Sequence, residues 1–515
     1  MRVAATAALA CGAVLLLSNC AVGPRYRTPQ APVNAGYAPA PLPETTASVA
    51  VPGGEAQRLV LGGDIPFQWW ELFQCAALNA LIERAFKANP SLPAAQAALR
   101  QARELTSAQR GFFFPTVAAN YQFERQKLAG NSSGSSAPGV QGNGSDISAY
   151  QNPTASPYNE PLYYNLHTAQ LTVGFVPDVF GGNRRQVESL QAQEEGQRFQ
   201  LEATYVTLAS NIAAAAIQEA QVRAELAAAR EIVDFNQKAL QILRAQLQLG
   251  YAMRIDVANQ EAALAQAKAL IPPLQKQYEQ TRDLIRALAG NLPDEDVPET
   301  FELESLHLPP ELPVSLPAKI IEQRPDVRIA AAALHSANAQ VGVAVAAMLP
   351  QFSITAAQGG TATQFDWMFR SGGPFWNVIG GVSQPIFDGG TLLHRKRAAD
   401  QALKQAAYEY QTTVITAYQN VADTLHAALS DADALSAAVE AEIAAKVALD
   451  LTRRQLEAGY VNYLALLTAE TSYSQALLNR IQAEATRYGD SVALFQALGG
   501  GWWHRGERTA KAVTP

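Results

Sequence analysis

The chain has 515 residues, 48% hydrophobic and only 17% charged, with a formal net charge of −7. No basic stripe is available to neutralise phosphates, which argues against nucleic acid as a partner. Three cysteines in a chain of this length exclude a dense disulfide framework.

At the N-terminus, Met1-Arg2 precede an apolar run, Val3 to Leu17, followed by Ser18-Asn19-Cys20. Residues 1–19 read as a secretion signal, too short to span a bilayer as a helix. Leu17-Ser18-Asn19-Cys20 resembles the bacterial lipobox, which implies a lipid-modified, palmitate-type anchor on Cys20; Asn19 departs from the usual Gly or Ala. The alternative is an ordinary cleaved signal with Cys20 unmodified. With Cys20 acylated, Cys75 is the only remaining thiol and no internal disulfide forms. Residues 20–64, rich in Pro, Ala and Gly, read as an extended tether.

A first repeat spans 65–290. Asp64 is the expected N-cap before Ile65-Pro66, and Trp69, Trp70, Leu72, Phe73, Leu78, Leu81, Ile82 and Phe86 recur at helical spacing, a core pattern. Asn89-Pro90 ends that helix, and a second runs from about Ser91 to Arg110. From Thr116 the period becomes two. Val117, Ala119, Tyr121 and Phe123 alternate with polar neighbours, as do Ala169, Leu171, Val173 and Phe175, predicting a β-hairpin over 116–176 around a Gly/Ser/Asn-rich loop, 129–160. Asn183 to Leu249 then contains one glycine, Gly196, and no proline, between Gly181-Gly182 and Gly250. It predicts one helix of roughly 100 Å, too long for a compact core. A return helix, 255–289, follows, interrupted at Pro272-Pro273.

Residues 291–319 read as a linker, and 320–499 repeat the plan. Arg324-Pro325 and Leu349-Pro350 match Asn89-Pro90 and Phe114-Pro115 at one common offset. A second hairpin is expected over 351–385, then a helix over 391–458 without Gly or Pro, opening after Gly389-Gly390 and closing at Gly459, and a return helix over 464–498. Short connections make each long helix and its return antiparallel neighbours. Residues 500–515 read as a disordered tail.

No apolar run of 18 or more residues follows the signal, so no transmembrane helix is expected, but the four alternating strands, enriched in aromatics, have the length of membrane-spanning barrel strands. Four strands cannot close a barrel, and open edges are not tolerated in lipid, so several copies of the chain must pool their hairpins. The rival is a small soluble sheet packed on a helix.

Cys20-Ala21-Val22-Gly23-Pro24-Arg25-Tyr26, Trp69-Trp70-Glu71-Leu72-Phe73, the paired turns Gly250-Tyr251 and Gly459-Tyr460, Phe387-Asp388-Gly389-Gly390 and Asn462-Tyr463-Leu464-Ala465-Leu466-Leu467 occur in that order. In this the chain resembles the outer membrane factor (TolC-like) family, in its lipoprotein branch. The resemblance implies a mainly α fold with a small β part: a homotrimer whose long antiparallel helical hairpins form an α-barrel through the periplasm and whose strands, four per chain, make a shared 12-stranded β-barrel in outer-membrane lipid. It implies a passive efflux duct working with a periplasmic adaptor protein and an inner-membrane pump. It places adaptor docking at Gly250, Tyr251, Gly459 and Tyr460 and a gate at Leu464. Where relatives often carry a gating Asp this chain has Thr468, so an acidic ring is not carried over; Asp256 is the other acidic candidate, or simply a residue flanking a turn.

A periplasmic lipid-anchored coiled-coil scaffold or adaptor, without pore activity, is the competing class; it leaves the alternating hairpins unexplained. No enzyme constellation is evident. Gly130-Asn131-Ser132-Ser133-Gly134 fits the nucleophile-elbow pattern but lies in a Ser/Gly-rich loop rather than between strand and helix. The six histidines are dispersed without metal-ligand spacing, so no metal and no cofactor beyond the Cys20 lipid is expected.

Overall fold

The computed structural model describes residues 21–30, 36–39, 41–128 and 162–506. In chain order its elements are β1 (Arg58–Leu61), α1 (Ala76–Ala88), α2 (Ser91–Arg110), β2 (Thr116–Leu128), β3 (Leu162–Phe175), α3 (Gly182–Gln248) and α4 (Arg254–Ala289). These are followed by β4 (Glu311–Val314), α5 (Pro317–Gln323), α6 (Pro325–Ala346), β5 (Gln351–Ala362), β6 (Pro374–Ser383), α7 (Thr391–Glu457) and α8 (Tyr463–Ala497). The protein is mainly α, at 64% helix and 13% strand. The signal, Cys20, the 129–160 loop and residues 507–515 lie outside the described residues.

The chain divides into two compact units. The first comprises the residues up to Arg27 with Ala102–Glu194 and Leu334–Ala406. Its centre is an antiparallel sheet in the order β2-β3-β5-β6. The ladders run from Thr116↔Gly174 to Leu128↔Leu162, His167↔Ala362 to Phe175↔Ile354, and Gln351↔Ser383 to Gly360↔Pro374. Because side chains alternate faces, this register gathers Val117, Tyr121, Phe123, Leu171, Val173, Ile354, Trp376, Val378 and Val382 on one face.

In the same unit α6 packs on the first turns of α3. The Ser189 and Ser336 hydroxyls meet at 2.8 Å, Gln340 donates to Ser189 at 2.8 Å, and His335 Nε2 lies 3.1 Å from Glu188 Oε1. By length and mean hydropathy α6 qualifies as a membrane span, the one described helix to do so, although no uninterrupted apolar run of that length exists in it. Nearly half of it is buried, and its polar contacts with α3 are those of a packed core helix. Both long helices start on an aspartate. Asp178 accepts from the amides of Asn183 and Arg184, each at 2.9 Å, and Asp388 from those of Gly390 and Leu392 at 2.9 and 2.7 Å. A carboxylate there satisfies orphan amides and complements the positive end of the helix dipole.

The second unit comprises Thr28–Gln101, Glu195–Ala333 and the residues from Ala407. Trp69, Trp70, Phe73, Leu78, Leu81 and Ile82 are all buried, but not on one helix. Trp69–Phe73 is a 3-10 turn, and Gln74 in the left-handed region (φ 53°) separates it from α1. Asp64 accordingly caps no helix; its carboxylate accepts from Ile65 N, Trp503 Nε1 and His504.

Four other expectations change in this unit. The tether and linker contribute a parallel two-stranded sheet, with β1 paired to β4 from Arg58↔Glu311 to Leu61↔Val314. Two extra strands went unread because four-residue segments carry too little periodicity. Within 291–319, Val297, Phe301, Leu303, Leu306, Leu308, Leu312 and Val314 are buried, and Arg282 donates to Glu299 O and Asp296 Oδ1. The segment is part of the core. The tail is ordered at least through Trp502, whose indole donates to Gln323 O at 2.6 Å. Finally, α4 continues through Pro272 and Pro273. The flanking turns hold the helix although each proline removes one amide donor.

Candidate functional site: an apolar sheet face and two glycine turns

In the first unit the apolar sheet face is uncovered. Trp376 is 77% exposed, Val117 68%, Val382 66% and Val378 65%. With Leu171 at 55% on β3 and Ile354 at 44% on β5 between them, these edge-strand side chains form an apolar patch of the kind that soluble monomers avoid. The other face carries Asn120, Gln122, Thr168, Gln170, Thr172, Thr355 and Asn377, with Thr168 and Thr361 hydrogen-bonded across β3 and β5 at 3.1 Å. β2 and β6 each pair on one side only, so both sheet edges keep backbone groups to offer. The sheet thus has one apolar face, one polar face and two open edges.

The sequence next to Cys20 is docked in this unit rather than free. Val22 N donates to Phe180 O at 3.1 Å, Arg185 Nε to Val22 O at 2.9 Å, and the Tyr26 and His335 rings stack at 4.1 Å.

In the second unit the two turns predicted at Gly250 and Gly459 share one geometry. Gly250 N bonds to Leu247 O at 3.1 Å and Tyr251 N to Gln246 O at 2.8 Å; Gly459 N bonds to Leu456 O at 3.0 Å and Tyr460 N to Gln455 O at 2.9 Å. This crossed pair of hydrogen bonds is the Schellman motif, and it requires the left-handed residue that both glycines supply, at φ 78° and 79°. Tyr251 and Tyr460 follow at 82% and 83% exposure. Two large side chains are thus held outward at equivalent places on two helical hairpins.

Past the turns the chain re-enters helix by capping. Asp256 Oδ2 accepts from Met253 N at 3.0 Å and Asn462 Oδ1 from Ala465 N at 3.1 Å. Asp256 thus caps the turn it flanks. Leu464 is 56% exposed, on the same face as Thr468. The Thr468 hydroxyl donates to Leu464 O at 2.9 Å, Thr471 to Leu467 O at 2.9 Å and Ser472 to Thr468 O at 3.0 Å. These neutral hydroxyls spend their hydrogens on their own helix, and the stripe carries no charge.

A buried polar chain behind the turns was not read from the sequence. Tyr463 OH donates to Gln260 Oε1 at 2.7 Å; Gln260 Nε2 donates to Asn236 O at 2.9 Å and to Asn236 Oδ1 at 3.0 Å. It joins α8, α4 and α3 beside the core of Leu240, Leu243, Val257 and Leu264. Burial, reinforced by the charges of Glu470 and Asp256, pushes the Tyr463 pKa up, so it remains a donor. The available signal was Gln260 standing on the buried face shared by Val257 and Leu264.

A family model described as outer membrane efflux protein matches residues 81–291 and 316–500. The chain belongs to the outer membrane efflux protein family. It is 26% identical over 464 residues to the pyoverdine export outer membrane protein OpmQ of Pseudomonas putida, covering 90% of this chain and 94% of that one. It is also 26% identical over 504 residues to the toluene efflux pump outer membrane protein TtgC of Pseudomonas putida, covering 96% and 95% respectively. Among solved structures it is similar to the outer-membrane channel OprN, with a TM-score of 0.79 at 26% identity, covering 94% of this chain and 100% of that one. As an outer membrane efflux protein it is the outer membrane component of an efflux system, and the family is one of ducts rather than enzymes.

Proposed function

We propose that this outer membrane efflux protein works as a trimer in which three four-stranded sheets complete one 12-stranded barrel and the helical hairpins surround a continuous water-filled duct. The observation that carries this is the sheet itself, apolar and exposed on one face, polar on the other and open at both edges. In lipid those edges must find partners, and further copies of the same sheet supply them. The internal repeat seen in the sequence gives each chain two helical hairpins of one plan.

The duct is passive, with energy supplied by an inner-membrane pump. A periplasmic adaptor docks at the Gly250-Tyr251 and Gly459-Tyr460 turns, whose tyrosines stand in solvent. Leu464 and Thr468 line the narrow part of the duct; its polar stripe favours no ion sign by charge. Asp256 acts from the turn, as a cap. Acylation of Cys20 adds a lipid anchor, next to the docked Val22–Tyr26 segment. Small organic molecules are the substrate class, in keeping with relatives named for toluene and pyoverdine.

Purified protein in planar lipid bilayers tests this. Stepwise conductance from a species of three chains by native mass spectrometry is expected. A monomer without conductance overturns the duct and restores the scaffold.

A further inference from the structure

In the second unit, α3, α7 and α8 border a partly open cavity of about 310 Å³ lined by Phe235, Leu449, Tyr473 and Leu477. Glu470 and Arg453 belong to its lining. Glu470 is only 5% exposed, and among the described residues neither carboxylate oxygen has a hydrogen-bond partner. Buried carboxylates are ordinarily paired, because an ion stripped of water needs donors in exchange. The nearby cation does not provide them: the Arg453 guanidinium lies over the Phe235 ring, 5.0 Å from its centroid.

We infer that this cavity is a binding site for a small organic monocation, whose ammonium or guanidinium hydrogens are taken up by the two oxygens of Glu470. Four features set that class. The charges on the lining are Glu231, Asp234 and Glu470 against Lys238 and Arg453, an excess of one negative. Lys238 and Asp234 pair with each other at 2.6 Å, which leaves Glu470 uncompensated at contact distance. Among the described residues no group of three His, Cys, Asp or Glu side chains exists to hold a metal ion, so a carbon-bearing cation suits the site better than a bare one. The cavity lies at the small end of ligand-site volumes, and its aromatic and aliphatic walls favour an apolar body behind the charged head.

Burial pushes the Glu470 pKa up to about 7, with Arg453 pulling the other way. The groups facing it are Arg453 from α7, Glu231, Asp234 and Lys238 from α3, and Tyr473 and Tyr463 on its own helix. A proton and the ligand therefore compete for one carboxylate. Binding strengthens as pH rises from about 5 to about 8.

The probe is benzylammonium, with benzyl alcohol as the uncharged counterpart, titrated calorimetrically into the full-length protein in detergent. Benzylammonium is expected to bind saturably and benzyl alcohol not to. Glu470→Gln weakens binding by about tenfold or more, the loss of a charge-assisted hydrogen bond. Arg453→Gln, which removes the resident cation, tightens it. Opposite responses of two variants of similar thermal stability cannot come from misfolding. Equal binding of both probes, undiminished binding by Glu470→Gln, or no saturable binding at all overturns the site. The last outcome together with strong Glu470–Arg453 coupling in a double-mutant cycle would make the two an internal ion pair. None of these results bears on conductance, so the site and the duct stand or fall separately.

Discussion

The hydroxyl of Tyr463 donates to Oε1 of Gln260 at 2.7 Å, and Gln260 is fully buried. One phenol on α8 thus anchors the amide that ties α4 to α3. Removing it leaves a buried carbonyl oxygen without a donor, which costs about 1–3 kcal/mol. Tyr463→Phe is expected to lower the melting temperature and raise hydrogen exchange around residues 246–262. Unchanged exchange there would show that the link does not brace the turn.

Gly250→Ala and Gly459→Ala meet no atom within 4 Å of the added Cβ, so their cost is conformational alone. About 1 kcal/mol each follows from placing an L-residue at φ near 80°. Gly181→Ala adds a clash, since its Cβ would lie 2.6 Å from the Cα of Ala21 at φ 77°. The expected order of destabilisation in chemical unfolding is Gly181→Ala above the two turn variants. A larger loss at either turn contradicts the steric account.

Thr468→Asp replaces a hydroxyl spent on its own helix by an ionised carboxylate, on the exposed face it shares with Leu464. In a trimer this sets three negative charges at one level. Reversal potentials in a salt gradient should shift toward cation selectivity relative to the parent, and the shift should shrink at high salt. An unmoved reversal potential removes Leu464 and Thr468 from the duct wall.

Burial and the neighbouring carboxyl of Asp490 raise the Asp431 pKa to about 7, against the opposing charge of Arg487. With the folded pKa above the unfolded value, the folded state holds the extra proton, so stability falls as pH rises from about 4 through about 7. Asp431→Asn should flatten that decline and stabilise the protein at about pH 8. A melting temperature whose pH dependence is unchanged in the variant rejects the pair as its source.

Much of the fold was legible because its signals are local. Alternation in Val117 to Phe123 and in Leu171 to Phe175 marks strands wherever they pair, and the glycine-free run Thr391 to Glu457 leaves a helix no place to stop. The turn glycines were legible for the same reason, their backbone conformation being set by adjacent residues. Thr468 stood out as a departure, and the spending of its hydroxyl on Leu464 O follows from helix geometry.

The sequence by itself thus determined the four long strands, the long helices and the hairpin turns. Only the tertiary structure decided which distant segments meet: Arg58 beside Glu311, Tyr463 on Gln260, Arg487 donating to Gly53 O and Glu55 O, and Glu470 in a cavity without a donor. Periodicity records which face of a segment is apolar, whereas the partner of a buried polar group depends on the path of the whole chain through space.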